Sequence, residues 1–267
     1  MPATEAVRSL PEGPGATRRG RPSSVTRADG NWKRAVVLLA LLAGLLAATG
    51  PAWAGRDAEA WTEQLQAAVG ELRAGRWAEG KELAQAGLDD LARYLAPGKT
   101  AGSAVAMFLM ARAIGAAGLG EERAALWDWQ VAEQLDPRLE TWNLEEFGSA
   151  GRLLDAHRAS GGSGAEPDLP GCGELPGAAP PEKLRAGQPR VPEGARRLRQ
   201  PARVEIEVEV GADGTVFRPR IRKAGPLETV TLAVADAMRD WRFAPARRDG
   251  EPVACDYLLT FDLRFGR

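Results

Sequence analysis

The eight residues Arg203-Val204-Glu205-Ile206-Glu207-Val208-Glu209-Val210 alternate without a break between charged and apolar side chains. A period of two puts every apolar group on one side of an extended chain, so this segment reads as a half-buried strand. Gly211-Ala212-Asp213-Gly214 follows, and Asp-Gly is a strong hairpin signal. Thr215 to Lys223 then returns with Phe217 and Ile221 on one face and Arg218, Arg220 and Arg222 on the other. A two-residue loop at Asp213-Gly214 sets Glu209 opposite Arg218, Glu207 opposite Arg220 and Glu205 opposite Arg222. On the other face it sets Val210 against Phe217 and Ile206 against Ile221. Each charge pair adds a few tenths of a kcal/mol, and both faces specify one register. An anion site is the weaker reading of the arginines, because each has a glutamate in reach.

After Gly225-Pro226, the residues Leu227, Val230, Val234, Met238 and Trp241 form a helical stripe that should cover the apolar sheet face. A last strand is expected over about Pro252 to Phe265. Tyr257, Leu259, Phe261, Leu263 and Phe265 alternate there with Asp256, Leu258, Thr260, Asp262 and Arg264. It should run antiparallel beside the first strand, giving the order second–first–third. Pro219 lacks an amide donor and suits an edge. The third strand is then the other edge, with no proline after Pro252 to stop it accepting another strand.

Upstream, Gly55 to about Ala159 reads as all helical. Trp61, Leu65, Ala68, Val69 and Leu72 share one face, and Trp77, Leu83, Ala84, Leu88, Leu91 and Leu95 form a second stripe ended by Pro97-Gly98. Further helices are expected over Ala101–Ala117, Glu121–Leu135 and Leu139–His157. Paired helices with glycine turns and an Asp136-Pro137 stop resemble tetratricopeptide (TPR) repeats, although the Ala-Gly turns lie further apart than that repeat's period of about 34 residues. The array is therefore TPR-like, without a counted repeat. Trp127, Trp129 and Trp142 read as core before groove. Residues 160–189, rich in Gly, Pro and Ala, read as a linker.

The N-terminal part carries an address. Lys33-Arg34 precede an uncharged run of 14 residues, Ala35 to Ala48, then Thr49-Gly50-Pro51 and the small-x-small pattern Ala52-Trp53-Ala54. This fits a cleavable signal peptide ending residues 1–54 better than a permanent anchor, which needs about 20 apolar residues. Residues 1–34 are long for a signal's basic flank, which favours a later start such as Val25. Export would let Cys172 and Cys255 pair, closing a loop of about 80 residues worth about 4 kcal/mol. Two free thiols are the alternative, and spacing alone does not choose.

The net charge of −1 favours neither nucleic acid nor an anionic membrane surface. Gly55–Ser160 holds 11 basic and 17 acidic residues, a net of −6, whereas Arg190–Arg267 holds 15 and 12, a net of +3. His157 is the single histidine, so His-based triads and multi-His metal sites are hard to build. Gly98-Lys99-Thr100 lacks the rest of a phosphate loop, and Gly148-Ser149-Ala150-Gly151 does not fit a nucleophile elbow. No enzyme activity and no cofactor are expected.

Four features of the last third come in a fixed order: Gln188-Pro189-Arg190-Val191-Pro192, Asp213-Gly214, a helix running into Trp241-Arg242-Phe243-Ala244-Pro245, and Gly250-Glu251-Pro252-Val253 before the closing strand. This order resembles the TonB C-terminal domain family. With the helical array, the chain is expected to be α+β: TPR-like helical hairpins (residues 55–159), in place of the family's usual spacer, precede a β-β-α-β domain (190–267) with a three-stranded antiparallel sheet, and only this last domain carries the resemblance. It implies a non-catalytic periplasmic module that binds outer-membrane TonB-dependent receptors by strand addition beside Asp256, Tyr257, Leu258, Leu259, Thr260, Phe261, Asp262 and Leu263. Val191 stands where the family's lead-in has tyrosine, and the apolar run has no histidine for a proton-driven motor. A borrowed domain is therefore expected before a motor-driven transducer. The competing class is a scaffold or oligomerisation protein of the envelope, a homodimer included. Membrane contact would come only through an uncleaved leader.

Overall fold

The structure is a computed structural model describing residues 56–94, 102–160, 169–198 and 200–265. The leader, Gly98-Lys99-Thr100 and residues 161–168 lie outside them. Among the described residues, five α-helices come first: α1 (Arg56–Arg73), α2 (Trp77–Tyr94), α3 (Gly102–Gly118), α4 (Glu122–Leu135) and α5 (Gly148–Ala159). The stripe Trp61, Leu65, Ala68, Val69 and Leu72 is buried, as a 3.6-residue period requires of an amphipathic helix. Helix α3 differs, being buried on every side from Ala104 to Ile114. It is the central helix, packed on α2 and α4 and also on α1 and α5. The helices pack in chain order, and the fold class is α+β.

The fifth helix starts later than its pattern predicts. Asp136 caps a 3-10 turn at Pro137–Thr141 by accepting from the Arg138 amide, and a second 3-10 turn covers Glu145–Phe147. Proline cannot continue the preceding helix. The Asn143 side chain also accepts the Glu145 amide, which competes with a helical turn. Trp127 and Trp129 are core residues, while Trp142 is half-buried.

The second half has β1 (Glu182–Arg185), β2 (Ala202–Val210), β3 (Val216–Lys223), α6 (Glu228–Arg239), β4 (Arg242–Ala244), β5 (Ala246–Arg248), β6 (Glu251–Val253) and β7 (Cys255–Leu263). The main sheet has the order β3-β2-β7, antiparallel throughout. Its apolar face, with Val204, Ile206, Val208 and Val210 buried, is covered by the Val230, Val234 and Met238 side of α6. Short ladders join β1 to β4 and β5 to β6.

The hairpin register holds in the middle and shifts at both ends. Ile206 faces Ile221 and Glu207 faces Arg220, as a two-residue loop predicts. Near the turn, however, Val210 faces Val216 and Glu209 faces Phe217. The loop is one residue longer, because the Asp213 carboxylate accepts from both the amide and the hydroxyl of Thr215. A bulge at Arg218, whose φ is 45°, takes the extra residue out again. Phe217 consequently leaves the core face and is half-buried, while Val216 is buried. Arg218 pairs with Glu209 and Arg220 with Glu207, but Arg222 turns to Glu207 and not to Glu205.

Candidate partner-binding edge

Strand β7 pairs with β2 without a bulge from Cys255↔Val210 to Leu263↔Ala202, and no named strand pairs on its other side. In an antiparallel ladder, alternate residues send their amide and carbonyl to opposite sides. Asp256 sends both outward: its amide donates to the Pro170 carbonyl (3.1 Å) and its carbonyl accepts from the Cys172 amide (2.8 Å). By alternation, Leu258, Thr260 and Asp262 also direct their backbone groups outward, and Tyr257, Leu259, Phe261 and Leu263 direct theirs to β2. Leu258, Thr260 and Asp262 have exposed side chains, with Leu258 at 50%. Asp256 is buried against Arg220 (2.5 Å). Asp262 pairs with Arg203 at 2.8 Å, and accepting that bond holds its carboxyl below the usual carboxylate range.

The other edge of the sheet is closed by a side chain. The Gln134 amide nitrogen donates to the Pro219 carbonyl (2.7 Å), and its oxygen accepts from the Ile221 amide (2.7 Å). One side chain from α4 thus satisfies the two β3 groups that a neighbouring strand would otherwise take. Pro219 supplies no donor to a further strand. Nothing in the local sequence around Gln134 signals this, because the contact spans most of the chain between α4 and β3.

The Trp241-Arg242-Phe243-Ala244-Pro245 box supports β7 from beneath. Trp241 is buried, donates its indole N–H to the Gly187 carbonyl (3.0 Å) and lies under the Lys183 ammonium. Its ring meets Phe261 at 5.6 Å, and Phe243 meets Tyr257 edge-on at 5.7 Å. The two aromatic side chains that β7 turns inward thus rest on the box. Arg242 caps the Trp241 carbonyl, and the half-buried Pro245 separates β4 from β5. Gly214 of the hairpin turn meets the same box: the Phe243 amide donates to its carbonyl at 2.9 Å.

The lead-in lies elsewhere. Gln188, Arg190 and Pro192 line a groove of about 430 Å³ with Leu88 of α2 and Leu232 and Asp236 of α6. Gln188 is exposed, Pro189 and Val191 are half-buried and Pro192 is buried. Cys172 and Cys255 are joined by a disulfide, and their side chains sit with Ala246 in a small apolar cluster. The His157 Nε2 lies 2.9 Å from the Gln130 side-chain nitrogen, and His157 lines a separate cleft. Among the described residues, no group of His, Cys, Asp and Glu side chains is placed to hold a metal ion. No described helix is long and apolar enough to cross a membrane.

Residues 187–265 match the family described as Gram-negative bacterial TonB protein C-terminal. Protein TonB of Escherichia coli (strain K12) is 34% identical over 70 residues, which cover 26% of this chain and 29% of that relative. The chain therefore spans under a third of the curated relative's length. No solved structure matches the chain. The match to the TonB C-terminal family thus falls on the segment 187–265, which carries the hairpin, helix, aromatic box and closing strand in order.

Proposed function

We propose that this chain is a non-catalytic protein–protein interaction protein of the periplasm. Its TonB-family domain would bind an extended segment of an outer-membrane TonB-dependent receptor by strand addition along β7. In this reading the segment 33–54 exports the chain, residues 55–159 form a helical platform, 160–189 connect it and 190–267 form the binding domain. The carrying observation is the outward row Leu258, Thr260 and Asp262 on a sheet edge that, among the described residues, no strand covers, opposite an edge that Gln134 closes. A guest strand would take these backbone groups, a recognised docking mode. Its side chains would alternate between Leu258 on one face and the rim of Tyr257 and Phe261 on the other.

About six backbone hydrogen bonds at a net 0.5–1.5 kcal/mol each, less the cost of ordering an extended peptide, give a weak and reversible complex. Such affinity suits a contact made and broken during transport. The test is a titration of the full oxidised chain with a synthetic peptide from the periplasmic N-terminal segment of a TonB-dependent receptor. Thr260→Pro removes one outward amide and spares the β2 ladder. It should weaken binding at least about tenfold while circular dichroism stays native. Equal binding by Thr260→Pro would sink docking on β7. Self-association with no peptide binding would favour the scaffold alternative.

A further inference from the structure

The β7 edge is already occupied at one end by the chain itself. Gly171 forms a parallel bridge with Asp256, whose amide and carbonyl bond to the residues on either side of Gly171. That is the pattern of one rung of a parallel sheet. The segment then turns away, because the Glu174 amide closes a turn onto the Gly171 carbonyl (2.8 Å). Further along, Ala179 bridges Arg247 in both directions. Cys172 is bonded to Cys255, the first residue of β7, and Leu175, Val253 and Tyr257 pack around that sulfur pair. The rung is therefore held by two backbone bonds, a covalent bond and an apolar seat.

We infer that Pro170–Cys172 is a built-in strand stop, which takes the first rung of the β7 edge and fixes where a partner strand can begin. A guest pairs with Leu258, Thr260 and Asp262 and is kept from Asp256 while the Cys172–Cys255 bond holds the stop in place. The partner that fits is a short extended segment of about five residues, since a longer one meets the turn at Gly171–Glu174. The arm thus selects for length and register on an edge whose backbone groups select for neither. The inference rests on docking along β7, but its own test does not.

That test is amide hydrogen exchange on the full chain, residue by residue. In the oxidised protein, the Asp256 amide should exchange at least about tenfold more slowly than those of Leu258, Thr260 and Asp262 after intrinsic correction. In Cys172→Ser/Cys255→Ser, the Asp256 amide should speed up at least about tenfold, and the receptor-derived peptide should slow it again. If the double variant does not fold, Leu175→Ser, with the disulfide kept and the apolar seat weakened, should raise Asp256 exchange by about threefold. Asp256 exchanging as fast as Leu258 in the oxidised chain, or unchanged in the variants, would overturn the stop. A peptide that slows no β7 amide in any of these proteins counts against docking on β7, and the Asp256 comparison still judges the stop.

Discussion

Gly214 is where the hairpin and the aromatic box meet. Its φ is +77°, and an added Cβ would lie 1.8 Å from the Phe243 carbonyl oxygen. Neither atom belongs to a flexible side-chain end, so the clash cannot be relieved cheaply. Gly214→Ala should lower stability by at least about 2 kcal/mol, read as a fall in the urea midpoint. Its neighbour Asp213 acts through charge. The Thr215 hydroxyl (2.6 Å) and amide (2.9 Å) hold its carboxyl below the usual carboxylate range. A carboxyl with a lower pKa folded than unfolded adds stability above the unfolded value of about 4. That stability is lost as pH falls through the folded value. The melting-point deficit of Asp213→Ala should therefore be largest at neutral pH and shrink below about pH 4. The Asp-Gly signal was legible as a turn. The added loop residue was not, because it depends on the carboxylate choosing Thr215 as partner.

At the level of elements, the three strands, their order and α6 could all be read from periodicity and turn chemistry. Those signals are local, and one face of each element is buried. The bulge at Arg218 was hidden because an alternating pattern still looks intact when one residue is inserted and later absorbed. The 139–147 stretch was read as helix for a similar reason, since apolar residues at helical spacing also occur in 3-10 turns. Of the candidate edge, the strand was legible and its two boundary conditions were not. Gln134 and Pro170–Cys172 reach their partners across long stretches of chain, and no period records that. Gln134→Ala should cost about 1–3 kcal/mol, because it leaves the Ile221 amide and the Pro219 carbonyl without their partner. If it also bares β3 as a docking edge, light scattering should detect self-association that Gln134→Glu, which keeps one acceptor, reduces.

The whole molecule is held together by charge in a place where charge is costly. Arg112 of α3 is buried and forms a two-pronged pair with Asp128 of α4 (2.7 and 2.8 Å). It also reaches Gln85 of α2 (2.6 Å) and Asp236 of α6 (2.6 Å). One guanidinium thus joins three helices of the N-terminal array to the helix of the TonB-family domain. Burial alone would lower its pKa, but Asp128 and Asp236 more than offset this and keep it charged. The candidate edge therefore belongs to a compact unit that also includes these helices. Arg112→Ala would leave Asp128 buried with only Arg239, at 3.4 Å, nearby. Removing one partner of a buried pair costs about 3–5 kcal/mol. Burial pushes the Asp128 carboxyl up, and without Arg112 its folded pKa would rise well above the unfolded one. The folded variant then binds the extra proton, so its deficit should be full at neutral pH and shrink as pH falls through that raised value. Arg112→Met with Asp128→Leu should recover much of the loss, since an apolar pair of similar size needs no desolvation. Urea melts at pH 7 and pH 5 would separate the two outcomes. If the single variant were no less stable than wild type at pH 7, the network would not be what joins the helices to the sheet domain.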